Sequence, residues 1–487
     1  VIELASRRVG GTVVYANDEF FAPASRLLEP GPPEWREGSY TDRGKWMDGW
    51  ETRRRRDPGY DFAIVRLGIP GVVRRVVVDT TWFKGNHAPA FGLDGLGVDP
   101  ATPVESLLTA RWNTLVERHD LAADTVNQVE VDNTRRVTFL RLRIHPDGGV
   151  ARLRVWGRPV PDLRVLKPEG TAVDLASTVV GGEVVEVSDD FFGRADNLLL
   201  PGPAEGMSDG WETRRRRGDG HDWVVVRLGV PGRIDRVMVD TSWFRGNAPG
   251  WVSIEATAEE KPEGWFGLTG WLPTQPDRVH LIPVGEQPAP VTHLRLNIRP
   301  DGGVARLRVF GHPDSDALVA SQVDYLDALF PEDAEELLKG LCASQTWVGS
   351  MLAARPFGTV DRLWAAVEAA FEAMSPADWE EAFRAHPAIG ESRGRQTAEG
   401  EAMSAREQAG VAEADEETRR RLAEGQRLYR ERFGIPYIVF ASGRDAGWIL
   451  ADLEERLRGG DPTAERARAA AEQRKITELR IRRMLEE

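Results

Sequence analysis

Short runs of apolar residues, either unbroken or alternating with polar ones, fill the first two thirds of the chain. Phe62 to Leu67, Val72 to Val78, Val137 to Ile144 and Ala151 to Trp156 are rich in Val and aromatic residues and are bounded by Gly, Pro and Asp. That pattern predicts strands. Pro70-Gly71, Pro231-Gly232 and the Asp-Gly-Gly segments at 147–149 and 301–303 read as turns, because Pro fixes φ and Gly accepts positive φ. Many short strands with regular turns suggest a sandwich of jelly-roll type, with a closed barrel as the other option. After about residue 315 the period changes. Tyr325, Leu326 and Leu329, then Leu337, Leu338 and Leu341, and again Leu363, Trp364, Val367 and Phe371 follow helical spacing. Ser375-Pro376 and Asp461-Pro462 read as N-caps followed by Pro at the first helical position. Ala464 to Leu485 is Ala-, Arg- and Glu-rich and favours a helix.

The first part is written twice. Leu4-Ala5-Ser6 returns as Leu175-Ala176-Ser177, and Asp18-Glu19-Phe20-Phe21 as Asp189-Asp190-Phe191-Phe192. Asp48-Gly49-Trp50-Glu51-Thr52 with Arg53 to Arg56 recurs unchanged from Asp209 to Arg217. Asp79-Thr80, Trp82-Phe83 and Gly85-Asn86 return as Asp240-Thr241, Trp243-Phe244 and Gly246-Asn247. The stretch from Pro146 to Val155 is identical to that from Pro300 to Val309. The spacing between copies shrinks along the chain, so the first copy carries extra loop residues near 33–45 and within 90–125. Repeats this long indicate duplication. The expected organisation is multidomain: two tandem all-β jelly-roll sandwiches at 1–160 and 161–315, then an all-α helical domain at 322–487.

Composition narrows the partners. With 487 residues, 41% hydrophobic and 29% charged, the chain is of ordinary globular make-up and long enough for two to four domains. A net charge of -14 disfavours nucleic acid or an anionic membrane as the main partner. Cys342 is the only cysteine, which excludes an internal disulfide and fits a reducing compartment. There is no apolar run of membrane-spanning length, and Val1-Ile2-Glu3-Leu4 lacks the basic flank of a secretory leader. The expected location is the cytoplasm, and the expected assembly a homo-oligomer.

The paired arginine runs are the most demanding feature of the duplicated half. In a strand, alternate arginines would point to opposite faces, so one pair could line a cleft and hold a carboxylate through two parallel hydrogen bonds. A solvated edge or an ion-pair network is the other option. Asp79 and Asn86, and their twins Asp240 and Asn247, could meet N–H and C=O groups of a ligand or form Asx-turns. Spacing shows no His/carboxylate cluster of metal-ligand type.

The helical tail offers His386-Pro387-x-Ile389-Gly390, Ser404-x-x-Glu407-Gln408, Phe433-Gly434-x-Pro436-Tyr437 and Lys475-Ile476-x-x-Leu479-Arg480. Taken singly, the first reads as a helix exit and the second as a capping box. The segment after Gly434 reads as a short apolar extended run.

In this order and spacing the tail motifs resemble the 2-oxo-4-hydroxy-4-carboxy-5-ureidoimidazoline (OHCU) decarboxylase family. The resemblance implies His386 as catalytic base with Glu407 as its partner. It also implies substrate contacts from Pro387, Ser404, Gln408 and Arg480, ring binding by backbone near Val439 to Ala441, no cofactor, and (S)-allantoin as product. The duplicated half resembles the allantoicase family, which hydrolyses allantoate to ureidoglycolate and urea. On that resemblance the candidate substrate-binding residues are Glu51, Arg53, Arg55, Asp79 and Asn86, with Glu212, Arg214, Arg216, Asp240 and Asn247 in the second copy. No metal ligands are assigned, and a divalent metal for this half is left open, as is which copy carries the chemistry. The expected partners are small ureides. The alternative is an active decarboxylase joined to a sandwich pair that only binds a carboxylate or a sugar.

Overall fold

The computed structural model describes residues 2–163, 171–386 and 414–486. The chain divides into two compact units, 1–321 and 322–487.

The first unit holds two β-rich repeats, each organised around one 19-residue strand, Asp61–Asp79 and Asp222–Asp240. Its first part pairs with Thr12–Ala16 and Arg136–His145, and its second part with Val126–Glu130 and Arg152–Pro159. The second repeat repeats this plan. The sequence predicts two strands separated by a turn at Pro70-Gly71. The structure instead runs one strand through the dipeptide, with a register shift opposite Val137/Phe139. Pro70 cannot donate to a ladder, so pairing slips there rather than ending. A side chain at position 71 would strike the Arg158 carbonyl, its Cβ falling 2.4 Å away. A Gly-and-Pro bulge thus lets one strand serve neighbours on both sides of a bend.

Inward positions follow the period of two. Ala63, Val65 and Leu67, then Val76 and Val78, are buried with Leu140, Leu142, Leu153 and Val155 in one core. Val224, Val226, Val237, Val239, Leu294, Leu296, Leu307 and Val309 build the equivalent core. The extra residues of the first repeat supply a short helix, Val104–Thr109, and the strand Asn113–Asp120.

The second unit is helical. Helices Pro331–Leu341, Gln345–Ala353, Val360–Glu372 and Pro376–Arg384 precede Glu416–Phe433, Ala446–Arg458 and Pro462–Glu486. Ser375 forms the expected cap, a reciprocal capping box with Asp378, and Asp461 accepts from Thr463 N and Ala464 N at the start of the last helix. Gly434 ends its helix at φ 73°, where a residue with Cβ would be strained. The segment after it, expected to be extended, forms no strand. It lies instead in a core with Tyr429, Ile449 and Leu453. Beneath it, Arg456 is enclosed by Glu465, Tyr429 and the Ile438 carbonyl. A charge buried this deeply needs such partners. Among the described residues no helix is long and apolar enough to cross a membrane.

Candidate functional sites

Two segments written identically in both repeats, and a third that differs only at positions 81 and 84, meet at one place in each. Trp50–Glu51 pairs with Gly149–Val150, so that Glu51 stands opposite Gly149. Gly149 lies against the Phe83 ring, and a Cβ there would fall 2.0 Å from Phe83 Cδ1. Gly149 N donates to the Asn86 carbonyl at 2.7 Å, and Ala88 N returns a bond to the Gly149 carbonyl at 3.1 Å. This close packing brings the Phe-x-Gly-Asn turn to the Trp-Glu segment, where Asn86 Nδ2 donates to Glu51 Oε1 at 2.7 Å. The second repeat builds the same pair, with Asn247 Nδ2 to Glu212 Oε1 at 2.7 Å. Burial pushes the Glu51 carboxyl above the ordinary carboxylate range, and the Asn86 bond offsets only part of that.

In the first repeat the pair lines a cavity of about 600 Å³, together with Phe21, Trp35, Lys45, Met47, Trp82, Lys84 and Gly85. Trp35 and Trp82 stand 5.6 Å apart between ring centroids, and Lys45 Nζ lies 4.1 Å from the centre of the Trp35 ring. Trp82 adopts a positive φ of 71°, which is strained for a bulky side chain. Asp124 Oδ1 accepts from its N–H at 2.7 Å, and the Pro33 carbonyl accepts from its indole at 3.0 Å. Trp35, Lys45, Trp82 and Lys84 were not singled out in the sequence. The available signal was the longer loop near 33–45, which contributes two of them.

The arginine quartets lie outside regular strands, and in each only one member, Arg55 or Arg216, is partly buried. Arg53 binds Asp18 through its backbone N–H at 3.0 Å and its Nε at 2.6 Å. Arg55 donates from its backbone to Asp147 at 2.8 Å and from its guanidinium to Asp61 at 2.6 Å. Arg214 repeats the first arrangement with Asp189, and Arg216 the second with Asp301 and Asp222. Arg54 and Arg56 are exposed. Asp79 Oδ1 accepts from Thr81 N at 2.8 Å and from its hydroxyl at 2.5 Å, and Asp240 accepts from Ser242 N at 2.8 Å. These are the tight local turns open to an Asp at that position. Of the ten sequence candidates in this half, Glu51 and Asn86 line the first repeat's cavity.

In the helical unit His386 follows the helix Pro376–Arg384, its backbone N–H bonded to the Phe383 carbonyl at 3.1 Å. Desolvation pulls its imidazole down to about 3; the Arg480 charge adds to this and the nearby Gln473 side chain opposes it. The ring is therefore neutral at physiological pH. Arg480 is buried and donates to the Gly340 carbonyl at 3.0 Å. Val439 and Ala441 are buried in the cluster that includes Phe383, and Glu472 anchors the loop between them by accepting from Phe440 N at 2.8 Å. Cys342, in the same neighbourhood, has its thiol pushed up to about 11 by burial, which disfavours the thiolate. Pro387, Ser404, Glu407 and Gln408 lie outside the described residues. Among the described residues no group of three or more His, Cys, Asp or Glu could hold a metal ion.

Comparison with known proteins agrees with this division. The allantoicase-repeat family model matches residues 2–160 and 173–314, and the OHCU decarboxylase model matches 327–482. A "Probable allantoicase" of Pseudomonas aeruginosa is 48% identical over 325 residues, covering 64% of this chain and 96% of the relative. Another, from Nocardia farcinica, is 46% identical over 313 residues, covering 63% and 93%. The crystal structure of allantoicase from Saccharomyces cerevisiae superposes with a TM-score of 0.54 at 36% identity, over 64% of this chain and 93% of that one. The chain belongs to the allantoicase family, and it carries behind its two repeats a helical domain of the OHCU decarboxylase family, which makes it an enzyme of both the hydrolase and the carboxy-lyase classes.

Proposed function

We propose that the chain is a bifunctional enzyme of ureide breakdown. Its first unit hydrolyses allantoate to ureidoglycolate and urea, and its helical unit decarboxylates OHCU to (S)-allantoin. The observation that carries the first reaction is the Glu51–Asn86 pair in a cavity walled by two tryptophans and two lysines. Allantoate presents one carboxylate and two ureido arms on a single carbon. Its hydrolysis breaks one carbon–nitrogen bond, puts a proton on the departing ureido nitrogen and adds hydroxide from water to the carbon. A carboxyl that keeps its proton above the usual range suits the donor's task. Asn86 Nδ2 holds one oxygen of Glu51, leaving the second for substrate, while the side-chain Oδ1 of Asn86 can accept a ureido N–H. Once deprotonated, Glu51 can take the proton of the attacking water.

In the helical unit, loss of carbon dioxide leaves an electron pair that the conjugated ring and its oxygen take up, so the chemistry asks for orientation and one controlled proton. Neutral His386 supplies the proton transfer, and Arg480 with the backbone from Val439 to Ala441 holds the substrate. Pro387, Ser404 and Gln408 contribute further contacts, and Glu407 fixes the imidazole tautomer. The two reactions lie on either side of allantoin hydrolysis and are not consecutive, so no direct handover of product is implied. The test is a crossed assay on the full chain, measuring urea release from allantoate and carbon dioxide release from OHCU. Glu51→Gln should lose the first activity alone and His386→Asn the second alone. A variant that lost both, or neither, would overturn the assignment.

A further inference from the structure

We infer that the allantoate carboxylate is held by Lys45 and Lys84, and that this half of the chain therefore has one working site, in the first repeat. The inference rests on the allantoicase reading above and deepens it.

The guanidinium groups expected to bind the carboxylate are engaged elsewhere. Arg53 and Arg55 bind Asp18 and Asp61, and their twins bind Asp189 and Asp222. The cations that do line the cavity are the two lysines. Among the described residues no carboxylate pairs with Lys45, whose ammonium rests on Trp35. Lys84 meets only Asp124, at 3.7 Å and largely in solvent. With Glu51 tending to keep its proton, the cavity is left with surplus positive charge, which suits a small monoanion with neutral arms. The Trp35 and Trp82 rings, packed on each other with a tilt of 36°, together offer one apolar wall to the ureido groups.

The second repeat lacks the parts that come from the longer loop. Between Leu199 and Asp209 its loop is ten residues shorter than the stretch between Leu28 and Asp48, and it contains neither Trp nor Lys. The short 3-10 turn Met207–Asp209 stands in its place. Met207 Sδ lies 3.8 Å from Asn247 Nδ2, so a thioether covers the Glu212–Asn247 pair where the first repeat has its cavity. Arg245, which replaces Lys84, keeps the matching exposed pair with Asp277 at 3.1 Å, so what the second repeat loses is Lys45 and Trp35. The second repeat keeps the carboxyl–amide pair, Trp243 and one cation, but it has no counterpart of Lys45 or of the Trp35 wall from the longer loop.

The experiment is urea release from allantoate by the full-length chain over a range of substrate concentrations. The variants are Lys45→Met, Lys84→Met, the double variant and Glu212→Gln, with carbon dioxide release from OHCU and the melting temperature as measures of intact protein. Removing a charge-assisted contact of this kind should lower kcat/KM by about tenfold to hundredfold per lysine. The loss should fall mainly on KM, since the carboxylate is bound alike in ground and transition states. Lys84→Arg should restore much of it. Glu212→Gln should stay within about twofold of the parent, a change worth less than a single weak contact. A folded double variant with unchanged kcat/KM, or an inactive Glu212→Gln, would overturn the inference while leaving the allantoicase reading intact. A parent chain that released no urea would overturn the reading itself.

Discussion

Replacing Gly149 by Ala adds one methyl group where the structure has no room for it. The new Cβ would fall 2.0 Å from Phe83 Cδ1 and 2.1 Å from Cε1, against a comfortable carbon–carbon contact of about 3.5–4 Å. Phe83 is fully buried beside Met47 and Ala151, so the ring cannot swing into solvent, and the strand must move by more than an ångström instead. Overpacking of this kind typically costs about 1–3 kcal/mol. Each kcal/mol lowers the melting temperature of a unit of this size by about 2–4 °C. The consequence for chemistry should be larger. Gly149 stands opposite Glu51 and donates to the Asn86 carbonyl, so its displacement separates the two groups proposed to act on the substrate. A misplacement of about 1 Å can cost about a hundredfold in rate. Calorimetry on the full chain should show the β-unit transition lowered and the helical one unchanged, with urea release reduced and carbon dioxide release intact. Gly303→Ala, which meets Phe244 at the same 2.0 Å, should lower the same transition yet leave urea release almost untouched. A Gly149→Ala chain with parental stability and parental urea release would refute the packing argument.

Glu51→Gln should reduce urea release by about 10²–10⁴-fold, the usual worth of positioned proton transfer. Because burial raises the folded-state pKa of Glu51, the native state holds this proton more firmly than the unfolded chain does. Stability should therefore decline as pH rises from the unfolded carboxylate pKa through the raised folded value. Glu51→Gln should lose that slope, and identical stability profiles would speak against the shift. His386→Asn should abolish carbon dioxide release without lowering the melting temperature of the helical unit, and near-normal turnover would remove the residue from the mechanism. NMR titration should find the His386 imidazole neutral at pH 5.5, since burial holds it at about 3; a midpoint near 6.5 would contradict that burial. Arg55→Met should act on the fold rather than on binding. It leaves Asp61, whose side chain is 3% exposed, without its counter-charge, a loss of about 3–5 kcal/mol for a buried pair. A stable Arg55→Met chain with a raised KM would instead return Arg55 to the substrate.

The duplication was legible because identical residues stood in identical order, and the helical tail because its caps are local. Ser375 with Asp378 and Asp461 ahead of Pro462 decide helix starts within four residues. The long central strand was harder to read. Pro70-Gly71 looks the same whether the chain reverses or slips one register, and only the neighbours on the second part, such as Arg152–Pro159, decide between them. The arginine quartets drew attention through repetition, but their partners Asp18 and Asp61 are set by the fold, and repetition cannot tell a shared scaffold from a shared site. The converse explains why Lys45 and Trp35 passed unnoticed. They lie in a loop without a twin, so comparing the copies points away from them. Glu51 and Asn86 stood out in the sequence because they belong to the repeated frame, and the structure places both at the cavity.

Allantoate, or an unreactive analogue, bound in a crystal of the full-length chain is the most direct measurement of the central claim. The account predicts density beside the Trp35–Trp82 pair, with the carboxylate at Lys45 and Lys84 and a ureido arm at Glu51 and Asn86. Density on Arg53 to Arg56, or beside Glu212 under Met207, with the first cavity empty, would contradict it.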